Sequence, residues 1–330
     1  MKAVVYFGNH QVDVTDFPEP PLEEHSVKIR VKYCGICGTD LHKYEGNGGS
    51  RPVIPPVVLG HEISGIVEEV GKKVTKFQRG DRVTADPNWY CKRCDFCQKG
   101  TPNLCSHSQG VVKGFAEFIC PPEENVYSIP DTLSLRDAAL SEPVSCCLHG
   151  LDLLDAHIGE TAAVIGLGSI GSIMTVLLSR LTSSKVLVFD SDPSKEALAR
   201  QLGADSFIPV LPNLSTQSLP HIDRVIECVG LESSAEMAFH IAGKGATIVL
   251  FGVGAKNSYA KLPLYQTFQK ELTIKASYLN FGTMQRAIAL LDSGLLPADL
   301  LIGAELPLSQ IPEELASRKN LKKGKVIARL

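Results

Sequence analysis

The chain has 330 residues, of which 44% are hydrophobic and 21% are charged, enough for about two domains with separate cores. Its formal net charge of -3 provides no basic field for a phosphate backbone, so we expect no nucleic-acid partner. The apolar run at residues 1–8 is too short for an export signal, and glycines and serines interrupt the apolar stretch 162–178. We therefore expect a cytoplasmic protein without a membrane partner.

Short β-rich runs separated by turn residues dominate the first part of the chain. Examples are residues 28–32, 65–70 and 81–84, which are rich in branched residues. Runs of this length and spacing are typical of an all-β domain. We predict such a domain over residues 1–145.

Four cysteines within this domain form the pattern C-x2-C-x2-C-x7-C: Cys91, Cys94, Cys97 and Cys105. The residues between them are mostly polar, and cytoplasmic thiols stay reduced, so metal binding is favoured over ordinary burial. Four thiolates close the tetrahedral shell of zinc, which is the composition of a structural site. We predict a zinc lobe over about residues 86–106, with two disulfides or a redox-active C-x-x-C as the alternatives.

Helices and strands alternate from about residue 147. The predicted strands cover residues 161–165, 185–189, 224–229, 246–251 and 272–277. Helices are predicted at 170–181 and 232–242, and Pro193 and Gly203 mark the start and the end of another helix. Repeated βα units predict an α/β domain, a Rossmann-type doubly wound parallel sheet over residues 146–280.

The remaining segment, residues 281–330, has a mixed pattern. It predicts helices at 284–291 and 311–317 and a closing strand at 325–330. We expect this segment to return to the first domain.

A glycine-rich motif directly follows the first strand of the α/β domain: Gly166, Leu167, Gly168, Ser169, Ile170 and Gly171. A G-x-G-x-x-G between a strand and a helix is the context that binds a dinucleotide pyrophosphate. Asp190 ends the second strand, where a carboxylate can bind both ribose hydroxyls and repel a 2′-phosphate. We therefore predict NAD, while the nearby Lys195 keeps NADP as the alternative. A glycine-rich turn in a nucleotide-free domain is the other possibility.

A second set of metal-binding residue types lies in the all-β domain. Cys37 and His42 occur in the run C-G-T-D-L-H, and His61 and Glu62 follow Gly60. A thiolate, an imidazole and a carboxylate suit a zinc ion that keeps one position free for an alcohol. Each residue alone also has an ordinary structural interpretation, as a buried thiol, a core histidine or a surface charge. Their combination favours the metal.

These motifs make the chain resemble the zinc-containing medium-chain dehydrogenase/reductase family, within the alcohol dehydrogenase superfamily, over essentially its whole length. Cys37 matches the family's C-G-T-D-x-x-H, His61 and Glu62 match its G-H-E, and the four clustered cysteines match its structural zinc lobe. Glu142, in the run S-E-P, resembles the polyol, threonine and sugar dehydrogenase branch. The resemblance implies a GroES-like all-β catalytic domain beside the Rossmann-type domain.

The resemblance also implies two zinc ions per chain and specific roles around the catalytic one. Cys37 and His61 are implied as ligands, with Glu62 and Glu142 as alternative carboxylates. Thr39 and His42 are implied to pass the alcohol proton to solvent. The other implied roles concern the residues around the metal and the nicotinamide: Asp40, which orients His61 or pairs with Lys325, and the backbone of Gly252, Val253 and Gly254, which receives the nicotinamide amide.

The sequence departs from the sorbitol-type pattern at one substrate position. Where those members have an arginine after the strand predicted at 272–277, this chain has Leu279. That replacement removes a donor for polyol oxygens, so an open-chain hexitol is a less secure substrate. Cys146 and Cys147 follow Glu142 closely, and we interpret them as buried helix residues rather than ligands.

Together these observations predict an NAD-linked zinc enzyme that oxidises a secondary alcohol, such as a polyol, cyclitol or amino alcohol, reversibly to a ketone. An NADP-dependent aldehyde or ketone reductase is the alternative, and a non-catalytic protein that binds zinc and a dinucleotide is a third possibility. The only other partner we expect is a second copy of the chain, since family members form homodimers or homotetramers.

Overall fold

The computed structural model describes residues 1–47, 53–182, 185–211 and 219–330, which form two compact units. The first unit combines Met1–Cys146 with Leu279–Leu330, and the second is Cys147–Tyr278. The first unit is therefore assembled from both ends of the sequence.

Within the described ranges, the first 146 residues contain ten short strands, three complete helices and the first part of a fourth helix. The strands are β1 (Lys2–Gly8), β2 (Gln11–Asp16), β3 (Val27–Gly35), β4 (Val57–Val58), β5 (Glu62–Val70), β6 (Arg82–Ala85), β7 (Asn88–Trp89), β8 (Gln109–Gly110), β9 (Phe118–Ile119) and β10 (Val126–Ser128). The helices are α1 (Gly38–Tyr44), α2 (Asp95–Gln98), α3 (Leu135–Ala138) and α4 (Ser141–Leu154).

The second unit alternates strands and helices. Its strands are β11 (Thr161–Ile165), β12 (Lys185–Asp190), β13 (Ser206–Pro209), β14 (Arg224–Glu227), β15 (Thr247–Leu250) and β16 (Thr273–Ala276). Its helices are α5 (Ser169–Leu181), α6 (Glu196–Gln201), α7 (Glu232–Ile241) and α8 (Leu264–Lys270). All six strands are parallel, in the order β13-β12-β11-β14-β15-β16. This is the dinucleotide-binding strand order, in which ligands bind at the carboxyl ends of the strands.

The last segment adds three helices and two strands to the first unit. They are α9 (Met284–Asp292), α10 (Ala298–Leu301), β17 (Ile302–Pro307), α11 (Ile311–Ser317) and β18 (Lys325–Arg329). The main sheet of this unit runs β10-β6-β5-β3-β18-β17, with β9 also paired to β3. β18 is antiparallel to β3 and parallel to β17, so the final strand lies inside the sheet.

Burial explains why β3 and β5 form the centre of this sheet. Val27, Ile29 and Val31 alternate along β3 and are at most 1% exposed, as expected for a strand with one face toward a core. Ile63 and Val67 of β5 are buried in the same cluster. At about 25 cal/mol per Å² of apolar surface, burying each such side chain contributes about 1.5–3 kcal/mol.

The predicted fold class is confirmed: an α/β chain with a GroES-like all-β part and a Rossmann-type parallel sheet. Three strands of the second unit are shorter than predicted: β14 ends at Glu227, β15 covers Thr247–Leu250 and β16 covers Thr273–Ala276. The Glu227 carboxylate accepts hydrogen bonds from the backbone N–H groups of Val229 and Gly230, which turns the chain out of the sheet. Across the described ranges, no helix has the length and apolar character needed to cross a bilayer.

Candidate active site

Three metal-binding side chains of the first unit converge beside β5. The ligand atoms of Cys37, His61 and Glu62 all lie within 4.8 Å of one another. Cys37 is the N-cap residue of α1, His61 immediately precedes β5, and Glu62 is the first residue of that strand. A helix start and a strand start therefore bring a thiol, an imidazole and a carboxylate together.

Asp40 joins the two segments that carry these ligands. Its buried carboxylate accepts hydrogen bonds from the backbone N–H groups of Cys37, at 3.1 Å, and Gly60, at 3.0 Å. His61 Nδ1 lies 3.8 Å from Asp40 Oδ1, which is too long for a hydrogen bond but within the range of an ion pair. The predicted alternative, a pair between Asp40 and Lys325, is wrong, because Lys325 binds the Glu62 carboxylate.

The partner of Lys325 is Glu62. Lys325 Nζ lies 2.6 Å from Glu62 Oε1 and also donates to the Ile36 carbonyl at 3.1 Å. Lys325 is 3% exposed and Glu62 is 1% exposed, so this is a fully buried ion pair. Burial lowers the pKa of Lys325, but the adjacent Glu62 carboxylate outweighs that effect and raises the pKa above its usual range. The lysine is therefore charged, and it balances one negative charge at the site.

The second oxygen of Glu62 is a candidate metal ligand. Among the described residues, Glu62 Oε2 is a buried oxygen without a hydrogen-bond partner. A buried carboxylate oxygen left unpaired is costly unless a cation or a donor satisfies it. Gly35 makes room for this oxygen, because a Cβ atom at that position would lie 2.0 Å from Oε2. The unpaired oxygen and the thiol and imidazole donors fit a zinc ion.

The Cys37 thiol gives the same indication. Burial, reinforced by the nearby Glu62 carboxylate, raises its pKa to about 11. In the absence of a cation the thiol is therefore protonated at neutral pH. A metal ion would displace that proton, because only the thiolate is a metal ligand.

Glu142 lies outside the 4.8 Å group but close enough to influence it. It is the second residue of α4 and 6% exposed, and burial raises its pKa to about 8. The Cys146 thiol donates to Glu142 Oε1 at 3.4 Å, and Cys147 is fully buried in the same helix. Cys146 is half-buried, so the interpretation of both cysteines as buried helix residues holds fully only for Cys147.

The four clustered cysteines form a second candidate metal centre in the same unit. The sulfurs of Cys91, Cys94, Cys97 and Cys105 all lie within 4.8 Å of one another. All four are free thiols, with Cys91 and Cys105 sulfurs 3.5 Å apart, well beyond the 2.05 Å of a disulfide. Helix α2 begins after Cys94 and a 3₁₀ turn at Pro102–Leu104 precedes Cys105, so local turns fold the loop around its sulfurs.

Backbone N–H groups of the lobe stabilise negative sulfur. A hydrogen bond from the Cys97 backbone is the main cause that lowers the pKa of Cys94 to about 6, and the Arg93 backbone lowers the pKa of Cys91. Burial and the neighbouring thiols raise the pKa of Cys97 to about 12. Four sulfurs this close together, some with lowered and some with raised pKa, are an arrangement that suits a metal ion bound by four thiolates.

Thr39 and His42, the predicted proton carriers, both lie on α1. They are half-buried and three residues apart, which places them on one side of the helix. The helix begins immediately after Cys37. A proton path along α1 would therefore start next to a metal-binding thiol.

The glycine motif forms the turn between β11 and α5 in the second unit. Gly166 has φ +90°, a left-handed conformation that glycine adopts without strain. A Cβ atom on Gly171 would lie 1.8 Å from the Gly166 carbonyl oxygen, so only glycine allows the helix to approach the turn. Around Gly168, the N-cap residue of α5, there is nothing within 4 Å of an added Cβ. This open space at a helix N-terminus suits a pyrophosphate.

Asp190 is fixed beside this turn. Its Oδ2 accepts hydrogen bonds from the Leu167 backbone at 2.7 Å and from Lys195 Nζ at 3.0 Å, and its Oδ1 accepts one from the Asp192 backbone at 2.9 Å. The carboxylate is thus held against the motif, and Lys195 is paired with it rather than free for a phosphate.

The predicted nicotinamide segment, Gly252 to Gly254, follows β15. It packs on the loop after β14, since a Cβ on Gly230 would lie 2.6 Å from the Val253 carbonyl oxygen. The loops after β11, β14 and β15 lie at the carboxyl ends of parallel strands, where this fold binds nucleotides.

Sequence reasoning missed two connections at the site. One is the pairing of Lys325 with Glu62, and the other is a hydrogen bond from Asn280 to Ser145. The one sequence feature that could have indicated the burial of Lys325 is its position directly before the apolar run V-I-A, which is buried in β18. Asn280 had no signal at all.

The comparisons with known proteins agree with this geometry. The family model "Alcohol dehydrogenase GroES-like domain" matches residues 23–131, and "Zinc-binding dehydrogenase" matches residues 169–293. A protein of Aspergillus clavatus named "Probable D-xylulose reductase A" is 32% identical over 99% of this chain and 95% of its own length. Sorbitol dehydrogenase of Bacillus subtilis is 29% identical over 94% and 91% of the two chains. A zinc-binding dehydrogenase structure from Sinorhizobium meliloti, bound to NADP, is 30% identical with a TM-score of 0.92 and covers 100% and 99%.

The chain therefore belongs to the zinc-containing medium-chain dehydrogenase/reductase family, in its polyol dehydrogenase branch. The resemblance recognised in the sequence is confirmed. The chain is a zinc-dependent alcohol dehydrogenase that acts on a CH–OH group with a nicotinamide cofactor.

Proposed function

We propose that this dehydrogenase carries two zinc ions and uses NAD to oxidise a secondary alcohol of the polyol, cyclitol or amino-alcohol class to a ketone, reversibly. One zinc is held by the four lobe cysteines, and the other by Cys37, His61 and a carboxylate. The observation that supports the catalytic zinc most directly is the buried, unpaired Oε2 of Glu62, within 4.8 Å of a thiol and an imidazole.

The chain's own residues would divide the work as follows. Cys37 and His61 hold the metal, while Asp40 fixes the backbone segments that carry them. When bound, zinc supplies a Lewis acid that makes the alcohol hydroxyl more acidic, and NAD supplies the hydride acceptor. The Thr39 hydroxyl accepts the alcohol proton, and His42 passes it to solvent. The alcohol carbon loses a hydride and its oxygen loses a proton, which gives the ketone.

Two carboxylates compete for the last protein position on this zinc. Glu62 is supported by its place in the 4.8 Å group, although Lys325 engages its other oxygen. Glu142 is supported by its burial with no basic partner of its own within hydrogen-bonding distance among the described contacts. We propose that both reach the metal and exchange there with water.

Metal analysis separates this proposal from a non-catalytic protein that binds zinc and a dinucleotide. We expect about two zincs per chain, of which mild chelation removes one together with NAD reduction. Re-addition of zinc should restore both. A single zinc that resists chelation would contradict the proposal.

NAD is supported by the position of Asp190. Its carboxylate lies against the glycine motif, where it would repel a 2′-phosphate, and Lys195 is already paired with it. The alternative, an NADP-dependent aldehyde or ketone reductase, is favoured by the presence of that lysine and by the NADP bound to the Sinorhizobium meliloti relative. Values of kcat/KM for NAD and NADP decide between them, with Asp190→Ser as the variant that should lose the NAD preference.

The proposed substrate class rests on the polyol dehydrogenase branch and on Leu279, where this chain differs from sorbitol-type members. Leu279 stands where a sorbitol-type arginine would, so the pocket has one donor fewer for a chain of hydroxyls. We expect a vicinal diol, a cyclitol or an amino alcohol to be oxidised faster than a hexitol. A screen of these classes for NADH formation tests this, and Leu279→Arg should shift the preference toward hexitols.

A second copy of the chain is the proposed protein partner. Leu264, Tyr265 and Phe268 of α8 are each more than 70% exposed, and the neighbouring strand β16 ends the sheet order among the described strands. An edge strand beside exposed apolar side chains suits pairing with another subunit. We expect a dimer or tetramer by light scattering, and Phe268→Glu should weaken it. Phe96→Glu, at an exposed phenylalanine of the lobe, is the control.

The cysteines support a cytoplasmic location. None of the ten cysteines forms a disulfide within the described residues. Reduced cysteines of this number are typical of a compartment with active thiol reductants. Cell fractionation tests the proposal, and recovery from an oxidising compartment would contradict it.

A further inference from the structure

A buried asparagine connects the base of the zinc lobe to the helix that carries Glu142. Asn280 is fully buried, and three of its polar atoms are bonded. Its Nδ2 donates to Ser145 Oγ at 3.0 Å, its Oδ1 accepts from Asn88 Nδ2 at 2.8 Å, and its backbone oxygen accepts from the Tyr90 hydroxyl at 3.2 Å. The side chain therefore has one fixed orientation.

On one side, this asparagine holds the first turn of α4. The Ser145 hydroxyl donates to the Glu142 carbonyl at 2.7 Å, so its oxygen is free to accept from Asn280. Thr283, three residues after Asn280, donates to the Ser145 carbonyl at 2.7 Å. The turn that bears Glu142 is thus fixed by two side chains from the segment after β16.

On the other side, the asparagine is held by the strand that leads into the lobe. Asn88 starts β7, its backbone N–H donates to Asp86 Oδ1 at 2.8 Å, and its carbonyl accepts from Asn125 Nδ2 at 2.9 Å. Cys91, the first lobe cysteine, follows three residues later. The hydrogen-bonded chain therefore runs from the base of the lobe to Glu142.

The carboxyl group of Glu142 depends on this support for its place. The hydrogen bond that its side chain accepts comes from Cys146 of the same helix, and does not anchor the helix to the rest of the unit. A buried carboxyl that reaches a metal must be held within about 0.5 Å of the productive position. Packing of the buried Val144 and Leu148 holds α4 as a whole, and the hydrogen bonds to Ser145 fix its first turn.

We propose that Asn280 is a positioning residue, which fixes the first turn of α4 so that the Glu142 carboxylate can reach the catalytic zinc. The inference rests on the proposed ligand role of Glu142. Groups hydrogen-bonded directly to a metal ligand typically alter metal affinity by about 10- to 100-fold. Asn280 acts one step further out, through the Ser145 hydroxyl and the Glu142 backbone, so an effect at the lower end of this range is expected. A residue with a general role in folding would instead change the melting temperature and leave metal affinity unaltered.

A double-mutant cycle on metal binding tests this, with Co²⁺ as the probe in protein from which the labile metal has been removed. The variants are Asn280→Leu, Glu142→Gln and the pair, and the readouts are Co²⁺ affinity and its visible absorption spectrum. We expect Asn280→Leu to weaken Co²⁺ binding about 10-fold in the wild-type background, the lower end of the range for direct partners of a ligand. In the Glu142→Gln background the same change should cost less than about threefold.

Ser145→Ala provides a milder second variant if Asn280→Leu does not fold, because it removes only the linking hydroxyl. Thr175→Val is the matched control, since it removes a buried helix hydroxyl bonded to a carbonyl four residues earlier, in the second unit. Equal losses in both Glu142 backgrounds, or no loss at all, would overturn the inference. If Glu142→Gln itself leaves Co²⁺ affinity and spectrum unaltered, the ligand role of Glu142 and this inference both fail, while turnover would still support the dehydrogenase function.

Discussion

The two candidate metal centres of the first unit are built in opposite ways. The lobe takes all four ligands from residues 91–105, held by local turns near the surface. The catalytic candidate takes Cys37, His61 and Glu62 from separate elements and depends on Lys325 from the last strand. The lobe therefore depends on its own loop, whereas the catalytic site requires most of the unit to be folded.

The centres also differ in how they carry negative charge before metal arrives. In the lobe, backbone N–H groups lower the pKa of Cys94 to about 6 and also lower that of Cys91, whereas the pKa of Cys97 is raised by burial and its neighbouring thiols. At the catalytic candidate, burial raises the pKa of Cys37 to about 11 and that of Glu142 to about 8. We therefore expect the lobe to bind zinc first and to retain it longer.

The largest expected effect is a loss of activity at the buried site with little change in stability. Cys37→Ala removes a proposed zinc ligand, and loss of several kcal/mol of charge stabilisation should lower kcat/KM by about 10³-fold or more. The melting temperature should change by only a few degrees. Steady-state kinetics and calorimetry measure the two quantities. Cys120→Ser, at a half-buried thiol outside both centres, is the control and should retain turnover.

The next largest effect concerns the positive charge of Lys325, which balances the Glu62 carboxylate at the buried site. The metal-binding group of the lobe consists of four cysteines alone. Lys325→Met leaves the Glu62 carboxylate buried without its partner, which should lower the free energy of unfolding by about 3–5 kcal/mol in metal-free protein. Adding Glu62→Gln should recover much of that loss, because no charge then remains unpaired. Urea titrations of both variants measure it. Equal instability of the single and double variants would contradict the assigned pairing.

A smaller effect is expected at the lobe. Cys94→Ser should remove one zinc per chain and lower the melting temperature by about 5–10 °C, because a structural metal contributes folding free energy. Turnover per folded molecule should fall by less than about threefold at low temperature. Loss of turnover with the second zinc still bound would show that the lobe also acts in catalysis.

The last expected effect is a pH dependence of stability at the buried site alone. Because the folded-state pKa of Glu142 is about 8 and its ordinary value is 4.5, the folded protein binds a proton that the unfolded chain has released between these values. Stability of the metal-free protein should therefore fall as pH rises from about 5 to 8. Glu142→Gln should flatten this slope, and melting curves over that pH range measure it. An unchanged slope would point to another group.

The parts of this molecule that could be predicted from sequence are those whose residues are close together in the chain. The lobe and the glycine turn have fixed spacings, and the strand at Thr161–Ile165 is a continuous apolar run. The pairing of Glu62 with Lys325 spans 263 positions, and that of Ser145 with Asn280 spans 135, so no local pattern indicates them. The short edge strand β13 and helix α8 were also missed, because little of either is buried.

Because β18 lies between β3 and β17, the first unit cannot be produced complete as an N-terminal fragment. A fragment that stops at residue 146 would contain every proposed zinc ligand and yet lack the strand that pairs with β3 and supplies the lysine for Glu62. Its sheet would gain an open edge, and its metal pocket would hold an unbalanced buried charge. During synthesis, too, the candidate metal pocket can acquire its full charge balance only after β18 has left the ribosome, long after the segments that carry Cys37, His61 and Glu62.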